Sequence, residues 1–563
     1  MTTLNYTLTI PTFQFPNSAS TPVAQPFSIS SPAAGFGEYE EFSSEDFKTY
    51  QTAQKTHALI VAALIGTAGV GAIIATTFFP LLIWTAPIVL IGLAVLSVRT
   101  YLKYCASQNH YPPSLIEGLN PQDFQAKRTG EWIQENGTAH VLGDAVETKK
   151  CRLDLIRHAQ SSIFLSSYMG EESFDEALDL IKERMAEIGG LKVFISGSDH
   201  FLTDENRKRI AHLHSAFPDR FFSVLNPEIY HSQHPKGGSQ LFSTNHTKLM
   251  SIDQGAYSII GGSAIRPFWE NVTGTEHLTK ARPTFDIFYN PLEAKGFRDM
   301  DFVFKSPPKG AGTTAFLEGA KLMLRYAYLQ DPKLAQKLKA QFIELMRSPM
   351  PATSVPNLDS RPRCANNVSM KLYATGPDHT QNSYLHGLID LVNHAQHKIV
   401  LGHMYFHPPQ QLIDALSNAA KRGVKIHLIT NSKAKEVPLA HRFFVDLAQD
   451  KYRQLFEKEG HQNVKVHEFY RANTTYHKKV IVVDDRYTGF GSSNLGTKSL
   501  AENPADYEFN AVVDSSAFAE ETMRVLQKDI ELSDEVLPEK AKTPSWDTRL
   551  LARFQELVMT NIL

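Results

Sequence analysis

The chain has 563 residues, 42% hydrophobic and 21% charged, which is the composition of a folded protein long enough for two domains. A formal net charge of −2 excludes the global basic field that draws a protein to nucleic acid, although a local basic groove stays open. Cys105, Cys151 and Cys364 are too few and too widely spaced for a disulfide framework or a metal site, and they point to a reducing compartment.

Residues 1–56 carry no charged side chain before Glu38 and are rich in Ser, Thr, Pro and Phe. A secretory signal needs a basic stretch followed by an apolar one, and neither is there. A disordered tail is expected, with an uncleaved export signal, of the kind carried by bacterial effectors, as the open alternative. From Ala58 to Val98 there is no charge at all. The run is about twice the roughly 20 apolar residues that one membrane-spanning helix needs. Pro80 near its middle favours a turn, so residues 57–99 are expected to form a transmembrane helical hairpin. Gly66, Gly69, Gly71, Ala75, Gly92 and Ala94 would let its two helices approach closely. Lys48 and Lys55 before it, and Arg99 and Lys103 after it, place both flanks on the cytoplasmic side of the inserting membrane.

Beyond the hairpin the pattern is α/β and repeats itself. The stretch from Arg157 to Leu165 (RHAQSSIFL) reads like that from Asn393 to Leu401 (NHAQHKIVL). Each ends a helical pattern and enters an apolar strand. An amphipathic helix follows in each half, around Phe174–Ile188 and Gln410–Lys421, and then a glycine and a second strand, Gly190–Ile195 and Gly423–Ile429. Strand, helix, glycine and strand make a unit that favours parallel pairing. Two such units imply a duplicated α/β fold: one lobe over 115–347, a Pro-rich linker over 348–364, and a second lobe over 365–563. Apolar residues at helical spacing over 548–563 suggest a packing helix at the end.

Each lobe carries His-x-Lys-x4-Asp: His246, Lys248 and Asp253 in the first, His477, Lys479 and Asp484 in the second. On an extended strand, residues two apart face one side, so each histidine and its lysine enter one pocket together. Two imidazoles and two ammonium groups suit a phosphate diester. The lysines neutralise phosphoryl oxygens, one histidine attacks phosphorus, and the other protonates the leaving alcohol and then activates the acceptor. The scheme needs no metal and no cofactor. Small-residue turns follow both motifs, Gly261-Gly262-Ser263 and Gly491-Ser492-Ser493-Asn494. Ser263, Ser493 and Asn494 are therefore candidate phosphate-binding residues.

The paired motifs resemble the HKD signature of the phospholipase D superfamily, over nearly all of Cys151–Ser515. The resemblance implies two duplicated phospholipase D-like lobes that share one active site at their interface. It further implies that the motif aspartates are mostly structural, and that an acid downstream of each motif orients its histidine. In the second lobe that acid is Glu508; in the first it is Asp299, with Asp301 as rival. The first lobe departs from the family pattern at Ala264, where an asparagine is common, and in a long insertion over 266–295. His403, His407 and His200 stand near predicted strand ends, where substrate contacts occur, but read first as loop or half-buried residues, and His158 and His394 read as structural.

The hairpin ahead of two such lobes looks like bacterial cardiolipin synthase, and its size also looks like that of inclusion-membrane proteins. The expected function is thus a membrane-attached phospholipase D or phosphatidyltransferase. Its partners would be phospholipid, membrane and an alcohol or water acceptor, and a covalent phosphohistidine would form on His246. The expected place is a bacterial inner membrane or a host inclusion membrane. The alternatives are a membrane-anchored nuclease, which the near-neutral charge does not favour, and a non-catalytic scaffold.

Overall fold

The computed structural model describes residues 112–541 apart from 135, 199–200, 227–229, 234–238, 271–295, 362–364, 380, 433–438 and 470–473. The expected tail, the hairpin, the closing helix, His200 and most of the 266–295 insertion lie outside the described residues. Among the described residues no helix is long and apolar enough to cross a membrane.

Two sheets organise what is described. The first runs, edge to edge, through Ala365–Asn366, Thr138–Leu142, Asp301–Lys305, Tyr257–Gly261, Leu249–Ile252, Ser162–Tyr168, Lys192–Ser198 and Phe221–Asn226. The second runs through Trp132–Gln134, Ser369–Thr375, Glu508–Asp514, Tyr487–Gly491, Lys479–Val483, Lys398–His403, Lys425–Asn431, Val464–Phe469 and Ser533–Val536. Seven consecutive strands match one for one and in the same order, so the duplication extends through the whole sheet. The edges are exchanged: Ala365–Asn366 pairs with the first sheet and Trp132–Gln134 with the second.

The two parallel units form where the glycines and apolar runs place them. Ser162–Tyr168 pairs in parallel with Lys192–Ser198 after a crossover helix at Glu171–Glu187. Lys398–His403 pairs in parallel with Lys425–Asn431 after a helix at Gln410–Lys421. The strands that leave the motifs, Leu249–Ile252 and Lys479–Val483, are buried along their whole length. That burial on both faces is why residues 480–483 read as an unbroken apolar run, and why Leu249–Ile252 is interrupted only by Ser251, whose hydroxyl pairs with that of Ser258 at 3.0 Å.

The motif aspartates tie each lobe together. Asp253 is wholly buried and accepts from the amides of Gln160 (2.9 Å), Ser161 (2.6 Å) and Ser162 (3.1 Å), and from the Thr353 hydroxyl at 2.5 Å. Asp484 accepts from the matching amides of Gln396, His397 and Lys398 at 2.8, 2.8 and 2.9 Å. Both sit at left-handed φ, 53° and 52°, a conformation that Asp tolerates better than most residues. Asp253→Ala would remove the acceptor of three amides and of the buried Thr353 hydroxyl, so a loss of roughly 3–5 kcal/mol is expected. Asp484 is only half-buried, water can replace it, and about 1–2 kcal/mol is expected. Urea unfolding midpoints of the two variants check the difference.

The Pro-rich stretch between the lobes packs down. Val355 and Leu358 are buried in the first lobe's core, and Asp359 accepts from the Tyr257 hydroxyl at 2.7 Å. Between the sheets lies the helix Ala311–Gln330, buried without interruption from Ala311 to Ala327. The sheets meet across Phe302 and Phe490, whose rings stack with centroids 3.9 Å apart.

Candidate active site

His246 stands three residues before the strand Leu249–Ile252 and His477 two before Lys479–Val483, and each is fixed by a short backbone pairing with the opposite lobe. The amide of His246 donates to the Tyr507 carbonyl at 3.0 Å, and Tyr507 donates back to Thr244 at 3.0 Å. In the mirrored place Gly296–Arg298 pairs in parallel with Thr474–Tyr476, and the amide of His477 donates to the Arg298 carbonyl at 2.9 Å. Tyr507 precedes Glu508 and Arg298 precedes Asp299. Each backbone bridge therefore sets one lobe's histidine beside the other lobe's acid.

The orienting acids follow that crossing. His246 Nδ1 faces the Glu508 carboxylate at 2.9 and 3.0 Å, and His477 Nδ1 faces Asp299 Oδ2 at 2.5 Å. The sequence assigned Glu508 and Asp299 to the histidines of their own lobes; the geometry exchanges them. The reason is the pair of inter-lobe bridges, which no spacing along the chain reports. Asp301 has a different task. Its Oδ1 accepts from the Ser263 amide at 3.1 Å, as Asn510 Oδ1 accepts from the Ser493 amide at 3.1 Å.

A carboxylate on Nδ1 holds the proton there, leaving Nε2 bare for chemistry, and it stabilises the cation when Nε2 gains a proton. Each lysine bends back to its own motif: Lys248 Nζ donates to the His246 carbonyl at 2.9 Å, and Lys479 Nζ to the His477 carbonyl at 2.8 Å. Tyr168 places its ring 4.6 Å from the Lys248 ammonium and 5.4 Å from the His246 ring.

The two histidines, the two lysines and the two acids are buried, and burial dominates the ionisation of His246, both lysines and both acids. It holds His246 well below its usual range, with Lys248 adding to the effect. Lys248 falls to about 7 and Lys479 to about 8, burial outweighing the neighbouring carboxylates. Asp299 rises to about 6 for the same reason, and Glu508 is raised as well. The free protein should then show a bell-shaped kcat/KM on a phosphodiester. As pH falls through about 6, Asp299 takes a proton and ceases to support His477. As pH rises through about 7 and 8, the lysines lose the positive charge that a phosphate would meet there. A profile flat from pH 5 to pH 9 would contradict this.

The two halves are not equivalent. Glu508 also accepts from Ser492 and from Ser499, the latter at 2.6 Å. In the first lobe these places hold Gly262 and Trp269. A side chain at Gly262 would meet the Asp299 carboxylate at 2.5 Å, so glycine is required there. Trp269 and Phe297 close around His477, with ring centroids 5.4 and 4.7 Å from it. Ala264 is fully buried with Trp269, Phe297 and Met404 in an apolar cluster, so no amide stands where Asn494 stands in the second lobe. Sequence reasoning missed Trp269; aligning Gly261–Trp269 with Gly491–Ser499 would have found it.

His246, Asp506 and Glu508 offer ligand atoms within 4.8 Å of one another. Lys248 beside them, and Lys498 paired to Asp506 at 3.1 Å, make the surroundings cationic and oppose a metal there. His158 and His394 contact the carbonyls of Asp154 and Asp390 through Nδ1 at 2.8 and 2.7 Å, in matching places on the two repeats.

Comparison with known proteins places this architecture. Residues 388–530 match the family described as cardiolipin synthase, PLD-like domain. A cardiolipin synthase of Clostridium perfringens is 23% identical over 231 residues, 41% of this chain and 43% of that protein. A minor cardiolipin synthase of Bacillus subtilis is 26% identical over 167 residues, 30% of this chain and 37% of that protein. The matched stretch thus spans less than half the length of these relatives. Among solved structures, the phosphatidylserine synthase of Haemophilus influenzae superposes with a TM-score of 0.51 at 17% identity, covering 76% of this chain and 94% of that one. Over residues 388–530 the chain is thus similar to a phospholipase D-like domain.

Proposed function

We propose that the protein is a phospholipase D-type phosphatidyltransferase or hydrolase that acts on phospholipid through a covalent phosphohistidine. The observation that carries the reading is the pair of carboxylate-oriented imidazoles, His246 with Glu508 and His477 with Asp299. His246, held unprotonated by burial, attacks phosphorus through Nε2. His477 protonates the departing alcohol, then takes the proton of the acceptor hydroxyl. Lys248 and Lys479, with the turns at Ser263 and Ser493–Asn494, hold the phosphoryl oxygens as charge builds on them.

Phospholipid is favoured over other diesters by the cardiolipin synthases among the relatives and by the uncharged run from Ala58 to Val98, read as a hairpin that attaches the lobes to a membrane. The net charge of −2 gives a nucleic-acid strand no attraction at long range. The purified full chain, with EDTA present, should convert phosphatidylglycerol to phosphatidic acid or cardiolipin, read by mass spectrometry. Cleavage of single-stranded DNA with no change in lipid would replace this reading with a nuclease. Inactivity on both would favour a scaffold.

A further inference from the structure

His403 stands directly opposite Lys479, its register partner on the neighbouring antiparallel strand. Residues so paired send their side chains to the same face of a sheet, so His403 projects on the face that carries the motif lysine. It is 3% exposed, and its Nδ1 has no hydrogen-bond partner among the described residues. Buried polar atoms are nearly always paired, so an unpaired one in a site asks for a bound group. Burial, helped by the Lys479 charge, holds this imidazole at about 3. It is neutral at working pH, with one N–H to give and one lone pair to accept.

The other lobe repeats the arrangement with a different side chain. Counting from the paired strand starts, Ser167 holds the matching place, and its buried hydroxyl also lacks a partner among the described residues. One half of the site therefore offers a hydroxyl and the other an uncharged imidazole. The imidazole lies on the side of His477, the proposed proton carrier. The lysines answer the phosphate's charge, whereas a neutral donor–acceptor group answers a hydroxyl.

We propose that His403 binds the acceptor, hydrogen-bonding one hydroxyl of a polyol such as glycerol while a second hydroxyl faces His477. This rests on the phosphatidyltransferase reading above. In the transfer step the acceptor oxygen attacks the phosphorus held on His246. The P–N bond breaks and its electron pair returns to Nε2, while the acceptor's proton passes to His477. His403 neither gains nor loses a proton. A polyol gains a second hydrogen bond at His403 without giving up the hydroxyl that faces His477, so the contact favours transfer over hydrolysis.

The test uses the full chain, a p-nitrophenyl ester of phosphatidic acid and added glycerol, with His403→Leu and His403→Gln. In His403→Leu, KM for glycerol should rise, and the ratio of phosphatidylglycerol to phosphatidic acid should fall, about tenfold more than the nitrophenol burst rate changes. His403→Gln, which keeps a donor and an acceptor, should recover most of the ratio. Equal losses in burst and transfer, equal behaviour of the two variants, or an unchanged ratio in His403→Leu would overturn the proposal. A wild-type chain that releases no nitrophenol at all would overturn the phosphatidyltransferase reading itself, and this inference with it.

Discussion

With His477 replaced by Ala, the protein should release one equivalent of p-nitrophenol from an activated phosphodiester and then stall. Nitrophenolate is a weak base and leaves without a proton, so attack by His246 still forms the phosphohistidine. Resolution needs a base for the acceptor hydroxyl, and steady turnover should fall roughly 10²–10⁴-fold. His246→Ala should give neither burst nor turnover, because it lacks the nucleophile. Rapid-quench measurement of nitrophenol separates the two phases. A burst that survives in His246→Ala and vanishes in His477→Ala would reverse the roles.

Asp299→Asn should reproduce the His477 defect, and Glu508→Gln the His246 defect, although each acid lies on the lobe of the other histidine. The amide can no longer hold the proton on Nδ1 or stabilise the imidazolium. Losses of roughly 10²–10⁴-fold are expected where the imidazole must carry a proton. Asp299→Asn should therefore keep the burst and lose turnover, since its partner is His477 at 2.5 Å. Glu508→Gln should slow the burst itself, since its partner is His246. The opposite assignment would mean that each acid serves its own lobe.

Much of the fold was legible because a duplicated strand–helix–strand unit repeats its own pattern. The helix at Gln410–Lys421 falls where its apolar face predicts, and the helix at Glu171–Glu187 within three residues at its start. The motif residues were legible too, since His-x-Lys on an extended chain puts both side chains on one face. The acids Asp299 and Glu508 were identified, but not their partners. Which histidine an acid meets depends on the bridges Asn245–Tyr507 and Arg298–Tyr476, which are long-range pairings without periodicity of their own. The same holds for the Pro-rich stretch over 348–364, read as a linker. Its backbone composition is that of a loop, yet Thr353 and Leu358 anchor it on the first lobe.

The asymmetry of the site was half legible. Ala264 signalled a missing amide in the first lobe, but only the packing shows that Trp269, Phe297 and Met404 fill the space with apolar surface. One imidazole thus sits in an aromatic wall, while the other faces an acid held by two serine hydroxyls. That difference fits a division of labour in which the two histidines do unlike work.

The most direct test of the central claim is to trap the intermediate. The full-length His477→Ala protein is incubated with a phosphatidyl p-nitrophenyl ester, quenched under alkaline conditions that preserve phosphoramidates, digested, and mapped by mass spectrometry. The account predicts a phosphatidyl adduct on His246 and none in His246→Ala. An adduct on His477 in the His246→Ala protein would contradict the assigned order, and no adduct in any variant while the wild type turns over would contradict covalent catalysis altogether.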